Sequence, residues 1–250
     1  MSRQHNPFQL QSKFAQLLGH IRRSQLEEIK QMIEQTPALL HMRDRNGRTV
    51  VHHCADNFAT TTSAFSQTVN IAQLFLARLA ELAEAQDNEG NTALHLSVIN
   101  GNQQLTRTLL QSMTIRQINI GDFEMHTAVH WATVCGELDC LSLVLDAGAE
   151  VSSADIFGAH PLHYATQSVG ELVTNSNINS SHYGSQLRFV ARRANGLRIL
   201  HHLLCRQHVD VNCMDNEGRT PLLWSASSGR FWCSFSSAPY ARRTHVTRSN

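Results

Sequence analysis

One phrase, returning at nearly regular intervals, constrains this 250-residue chain more than any other feature. It runs Asp44-Arg-Asn-Gly47-Arg-Thr49-Val-Val-His52, then Asp87-Asn-Glu-Gly90-Asn-Thr92-Ala-Leu-His95. It comes again at Asp122 to His130 around Thr127, at Asp155 to His163 around His160, and at Asp215 to Leu223 around Thr220. With the Thr (or His160) as anchor, an Asp stands five residues before it in all five copies. A Gly stands two before it in four copies, and a His three after it in four. The anchors are 43, 35, 33 and 60 residues apart. Several positions held in register over five copies exclude coincidence and make the chain a repeat protein.

Each position has a physical role. Thr49, Thr92, Thr127 and Thr220 can cap a helix by accepting a backbone N–H, and Pro161 and Pro221 then fit at the first helical position. Gly47, Gly90, Gly158 and Gly218 suit a turn position needing positive φ, and the Asp can bond its own backbone in that turn. Gly101, Gly136 and Gly229, nine after their anchors, end a short first helix. A second apolar-periodic stretch follows, as in Leu138 to Leu145 and Leu197 to Leu204. Each unit therefore reads as turn, helix, loop, helix, return. No unit can bury its apolar face alone, so neighbours must stack.

A step of 33 residues and the Thr-Pro-Leu-His-x-Ala pattern are the marks of the ankyrin repeat. The chain resembles an ankyrin-repeat protein over residues 11–229, which implies an all-α solenoid of about six helix-turn-helix units with β-turn or hairpin tips. The expected units span about 11–43, 44–86, 87–121, 122–154, 155–214 and an incomplete 215–229. Residues 1–10 read as an N-terminal tail and 230–250 as an irregular C-terminal one. The first unit lacks the phrase but keeps two helices, around Phe14–Leu18 and Leu26–Ile33, with polar outer positions. The sixth stops after its first helix. Its abrupt end reads as a truncated or alternatively spliced product or a mispredicted gene end, whose uncapped face would fray from about residue 214, or else as an unusual cap.

Charge and composition narrow the function. Lys+Arg number 21 against 20 Asp+Glu, giving a net charge of +1, without the basic excess a nucleic-acid or membrane-surface protein needs. No apolar run approaches the ~18 residues of a spanning helix, and the amino terminus has no signal-peptide pattern. Six cysteines (Cys54, Cys135, Cys140, Cys205, Cys213, Cys233) then read as reduced thiols in a cytoplasmic protein, with nucleus, cilium and cytoskeleton as alternatives. His52-His53-Cys54 and His201-His202-x-x-Cys205 imitate metal ligands, but both fall in helices already claimed by the stack. No phosphate-binding loop or nucleophile elbow is present. The expectation is no enzyme, no cofactor and no metal.

Two departures from the repeat suggest where function sits. The long steps place extra residues between first and second helices, around 57–70 and 167–195, and their Ser/Thr/Asn composition predicts solvated loops. The second holds Arg188, Arg192 and Arg193. At the turn tips, Arg45-Asn46, Asn88-Glu89 and Asn216-Glu217 are polar, whereas Phe123, Ile156 and Phe157 are apolar. Stacked tips would set these three side by side as a partner-binding patch, unless they pack back onto the neighbouring turn. Four residues after the anchors stand His53, Leu96, Trp131, Tyr164 and Trp224, of which Trp131 and Tyr164 are further binding candidates or else half-buried scaffold.

The ankyrin resemblance implies a monomeric protein-interaction scaffold that grips its partner by turn tips and the concave first-helix face, with no nucleic acid and no membrane. His130-Trp-Ala, Gly158-Ala-His-Pro-Leu-His-Tyr-Ala and Thr220-Pro-Leu-Leu-Trp-Ser-Ala are also similar to repeats of inversin-type scaffolds, which implies ciliary or Wnt signalling. Ankyrin inhibitors of Rel-type transcription factors are another candidate. A third is a targeting module of a larger enzyme or channel.

Overall fold

The computed structural model describes residues 7–56, 62–169, 195–206 and 209–227. Residues 57–61, most of 167–195 and the tail from 228, with Gly229 and Cys233, lie outside the described residues. In chain order the helices are α1 (Pro7–Arg22), α2 (Leu26–Gln35), α3 (Val50–Ala55), α4 (Thr62–Arg78), α5 (Ala93–Ile99) and α6 (Gln103–Ser112). They continue as α7 (Ile115–Ile118), α8 (Ala128–Cys135), α9 (Leu138–Asp146), α10 (Pro161–Val169), α11 (Gly196–Leu204) and α12 (Pro221–Ser227). Short 3₁₀ turns occupy Pro37–His41 and Ala80–Ala83. No strand occurs among the described residues.

The chain divides into two compact units, residues 1–131 with 139–149, and 132–138 with 150–250. In the first, α1 packs on α2 and α3, α3 on α4 and α5, and α5 on α6. Leu17, Ile21, Ile29, Ile71, Phe75, Leu94, Leu105, Leu109 and Leu141 are fully buried there. Burying each contributes about 1.5–3 kcal/mol. In the second, α10 packs on α11 and α12 over Leu162, Ala165, Ile199 and Leu203.

Local chemistry explains the elements. In α6, Leu105 and Leu109 recur at i, i+4, and the Asn102 side chain caps the helix by accepting the Leu105 N–H at 3.1 Å. Gly101 (φ +65°) and Gly136 (φ +74°) hold the left-handed position after first helices, as the sequence predicts. After α1 the same place falls to Ser24, at φ +55°.

Two expectations are corrected. The helix α1 starts at Pro7, inside the stretch read as a tail. The first insertion is not a loop throughout, because residues 62–70 form the opening turns of the 17-residue α4. Thr68, Ile71, Ala72, Phe75 and Leu76 are buried at helical spacing, and Thr68 Oγ1 lies 3.1 Å from Ser24 Oγ. That apolar periodicity outweighs the Ser/Thr/Asn composition which suggested a loop.

Candidate interaction surface

The five turns are built alike. In each, the backbone N–H of the Asp donates to the carbonyl four residues on: Asp44 to Arg48, Asp87 to Asn91, Asp122 to His126, Asp155 to Ala159 and Asp215 to Arg219, at 2.9–3.0 Å. One carboxylate oxygen of each Asp accepts the N–H groups two and four residues later, as Asp155 does from Phe157 (2.8 Å) and Ala159 (2.9 Å). Gly47, Gly90, Gly158 and Gly218 close four of the turns at φ between +73° and +83°. In the third copy Met125 takes this conformation at φ +63°, the one non-glycine among the five.

The second carboxylate oxygen has a use that sequence reading missed. It accepts from the side chain nine residues on, which is the position four after the anchor. Asp122 takes the Trp131 indole N–H at 3.0 Å, Asp155 the Tyr164 hydroxyl at 2.5 Å, and Asp215 the Trp224 indole N–H at 2.8 Å. His53 Nε2 lies 3.0 Å from Asp44. Where this position is Leu96, Asp87 instead pairs with Arg48 Nε at 3.4 Å. The constant nine-residue offset was the available signal. Trp131 and Tyr164 are therefore half-buried and tied into the turn rather than freely displayed. Burial works to raise the Asp215 carboxyl, but the Arg219 N–H, the Trp224 indole and the Arg219 guanidinium together hold it well below the usual carboxylate range.

The histidines three after the anchors stitch repeats together. His52 Nδ1 accepts the Thr49 N–H at 3.1 Å, so Nε2 carries the proton and donates to the Asn91 carbonyl at 3.0 Å. His95 repeats this between Thr92 (3.0 Å) and the His126 carbonyl (3.1 Å), and His163 between His160 (3.0 Å) and Arg219 (3.0 Å). His130 Nδ1 likewise takes the Thr127 N–H at 3.1 Å. The anchors thus donate to a histidine ring as well as cap. Thr92 and Thr220 accept a helix N–H at 3.5 and 3.3 Å, and Thr49 forms with His52 the same capping box that Thr92 forms with His95. Burial pushes the pKa of His52 and His163 down, and that of His95 to about 4.

The remaining candidates are distributed as follows. Burial raises the Cys54 thiol, and both ring nitrogens of His52 are already engaged. Cys205 is exposed, 3.6 Å from His201 Nε2. Among the described residues no group of three His, Cys, Asp or Glu is placed to hold a metal ion, and no helix is long and apolar enough to cross a membrane.

Phe123 stays 66% exposed in the first unit, and Ile156 and Phe157 stay 46% and 57% exposed in the second. Met125, in the same turn as Phe123, is exposed as well. The Phe123 ring lies across Gly90, where an added Cβ would come within 2.7 Å of Phe123 Cδ1. Packing onto the neighbouring turn and display to solvent therefore coexist in this residue.

The family model for ankyrin repeats matches three copies over residues 61–155. Residues 61–155 carry ankyrin repeats. The crystal structure of the ankyrin-repeat protein EF0377 superposes with a TM-score of 0.63 over 86% of this chain and 92% of that one, at 18% identity, a likeness of fold. The B-cell lymphoma 3 protein homolog of Mus musculus is 27% identical over 152 residues, 57% of this chain and 34% of its own. The NF-kappa-B inhibitor cactus of Drosophila yakuba is 27% identical over 122 residues, 37% of this chain and 25% of its own. The palmitoyltransferase AKR1 of Lachancea kluyveri is 28% identical over 144 residues, 57% of this chain and 16% of its own. The chain spans about a third or less of the length of these curated relatives. The all-α ankyrin-repeat fold expected from the sequence is the fold of the described residues.

Proposed function

We propose that this chain is a non-catalytic, monomeric protein-interaction module of the cytoplasm that holds a partner protein through its repeat tips and first-helix face. The observation that carries the reading is the exposure of Phe123, Ile156 and Phe157 at turn positions where other repeats carry Arg45, Asn46, Asn88, Glu89, Asn216 and Glu217. Trp131 and Tyr164 border these tips with their polar atoms already bonded, so they offer ring surface at little ordering cost. The test is affinity capture from lysate, wild type beside the Phe123→Ser/Phe157→Ser double variant. Loss of a specific partner in the variant is expected; undiminished capture would sink the proposal.

Similarity to cactus, whose name states inhibition of NF-kappa-B, favours a Rel-type transcription factor as the partner. Purified Rel-type dimer failing to bind the chain at micromolar concentration rejects this choice while leaving the module intact. The stretch shared with a palmitoyltransferase supports a second reading, a targeting portion of a larger enzyme. The phrases around Trp131 and Tyr164 support a third, an inversin-like signalling scaffold. Co-localisation with ciliary markers separates the third from the others.

A further inference from the structure

The tips of successive repeats are joined by two kinds of hydrogen bond, and one kind is missing at Phe123. Within each of the two compact units the backbone link recurs. The N–H of Asn88 donates to the Asn46 carbonyl (2.8 Å), that of Phe123 to Glu89 (3.3 Å) and that of Asn216 to Phe157 (2.9 Å), always from the residue four before the anchor. The side-chain link is not constant. Asn88 Nδ2 donates to the Arg45 carbonyl at 3.0 Å, and Asn216 Nδ2 to the Ile156 carbonyl at 3.0 Å. The corresponding acceptor below Phe123 is the Asn88 carbonyl, and a phenyl ring has nothing to donate to it.

Gly47, Gly90 and Gly158 form the seats for these side chains: a Cβ there would lie 2.3 Å from Asn88 Oδ1, 2.7 Å from Phe123 Cδ1 and 2.5 Å from Asn216 Oδ1. Phe123 therefore occupies the place of a clamp without clamping, and remains two-thirds exposed. Its immediate surroundings are acidic. Glu124 follows it with a side chain 62% exposed, and Glu89, whose carbonyl receives the Phe123 N–H, is exposed on the adjacent tip.

We infer that the second and third tips of the first compact unit, with Phe123 at their centre, take an extended partner segment in which apolar side chains alternate with Lys or Arg. The apolar side chain packs on the Phe123 ring, the cations face Glu89 and Glu124, and a partner N–H reaches the Asn88 carbonyl that no clamp covers. This deepens the proposed interaction function and rests on it.

The experiment uses the full chain and a fluorescein-labelled peptide, Lys-Arg-Leu-Lys-Trp-Lys-Leu-Arg, read by anisotropy. It is run beside an acidic twin with Glu for every cation and a polar twin with Ser for Leu and Trp. The wild type is expected to bind the first peptide at least about tenfold more tightly than either twin. Phe123→Asn, which restores the clamp, should hold or raise the melting temperature while abolishing that preference. Glu124→Lys should weaken binding and flatten its salt dependence. A merely structural Phe123 predicts a lower melting temperature with binding unmoved. No binding by the wild type, equal affinity for the acidic twin, or affinity unchanged by both Phe123→Asn and Glu124→Lys overturns the inference. Lysate capture by the Phe123→Ser/Phe157→Ser variant is read separately. Capture lost while the peptides fail removes only the basic-apolar chemistry, and capture retained removes the parent reading.

Discussion

His95 shows how much one side chain can be asked to do. Its ring closes the start of α5 through the Thr92 N–H and reaches the next repeat at the His126 carbonyl, which needs the neutral form with the proton on Nε2. Burial lowers its pKa from 6.5 to about 4, and lowers those of His52 and His163 in the same direction. Below pH 6.5 the unfolded chain takes up protons that the folded chain refuses, so stability falls as pH falls. For His95 the loss runs from about 6.5 down to about 4, at up to about 1.4 kcal/mol per pH unit. Asp44 and Asp215, whose carboxyls are held below 3.8, add a further loss as pH drops beneath that value. Urea midpoints should therefore hold nearly level from pH 7.5 to about 6.5 and decline from there to pH 5; a flat profile over the lower range contradicts the buried neutral ladder. Met125, left-handed at φ +63° without being a glycine, makes a second prediction. Met125→Gly should stabilise by about 0.5–1 kcal/mol in the same assay, strain relief exceeding the added chain entropy.

Among the elements, α4 is the one whose extent was least legible. Its second half follows a repeat pattern, but Thr62 to Asn70 reads as a polar insertion when composition is weighed alone. The buried series Thr68, Ile71, Phe75 shows the helix only when counted at three- and four-residue steps. Phe75→Ala should cost about 3–5 kcal/mol, since the fully buried ring leaves a cavity its neighbours cannot fill. The turns were legible in outline. Asp, Gly and anchor positions predicted their shape from residue type, because each conformation admits few residues. What hid was partnership between side chains at constant offsets. The Asp155–Tyr164 and Asp122–Trp131 bonds, and the Asn88 clamp on Arg45, need two registers compared at once. A pass that assigns each residue its own role does not see them.

At the scale of the whole molecule, contacts within each compact unit run between neighbouring repeats, so stability there is a sum of local and nearest-neighbour contributions and need not be uniform. Leu222 and Leu223 in α12 are each 53% exposed, whereas Leu94 and His95, at the same register in α5, are buried to 1%. Amide exchange should accordingly be faster in α12 than in α5. Equal protection in the two helices would refute this reading of their exposure.

The glycine seats carry one more implication. Because the backbone link from tip to tip is made with either Asn88 or Phe123 above the seat, the identity of that side chain is decoupled from the geometry that holds it. A single codon can exchange a self-directed amide for an outward-facing ring and leave the scaffold intact. Recognition in such an array can drift one tip at a time, each step trading a fraction of cohesion for a new contact, with no need to invent a loop.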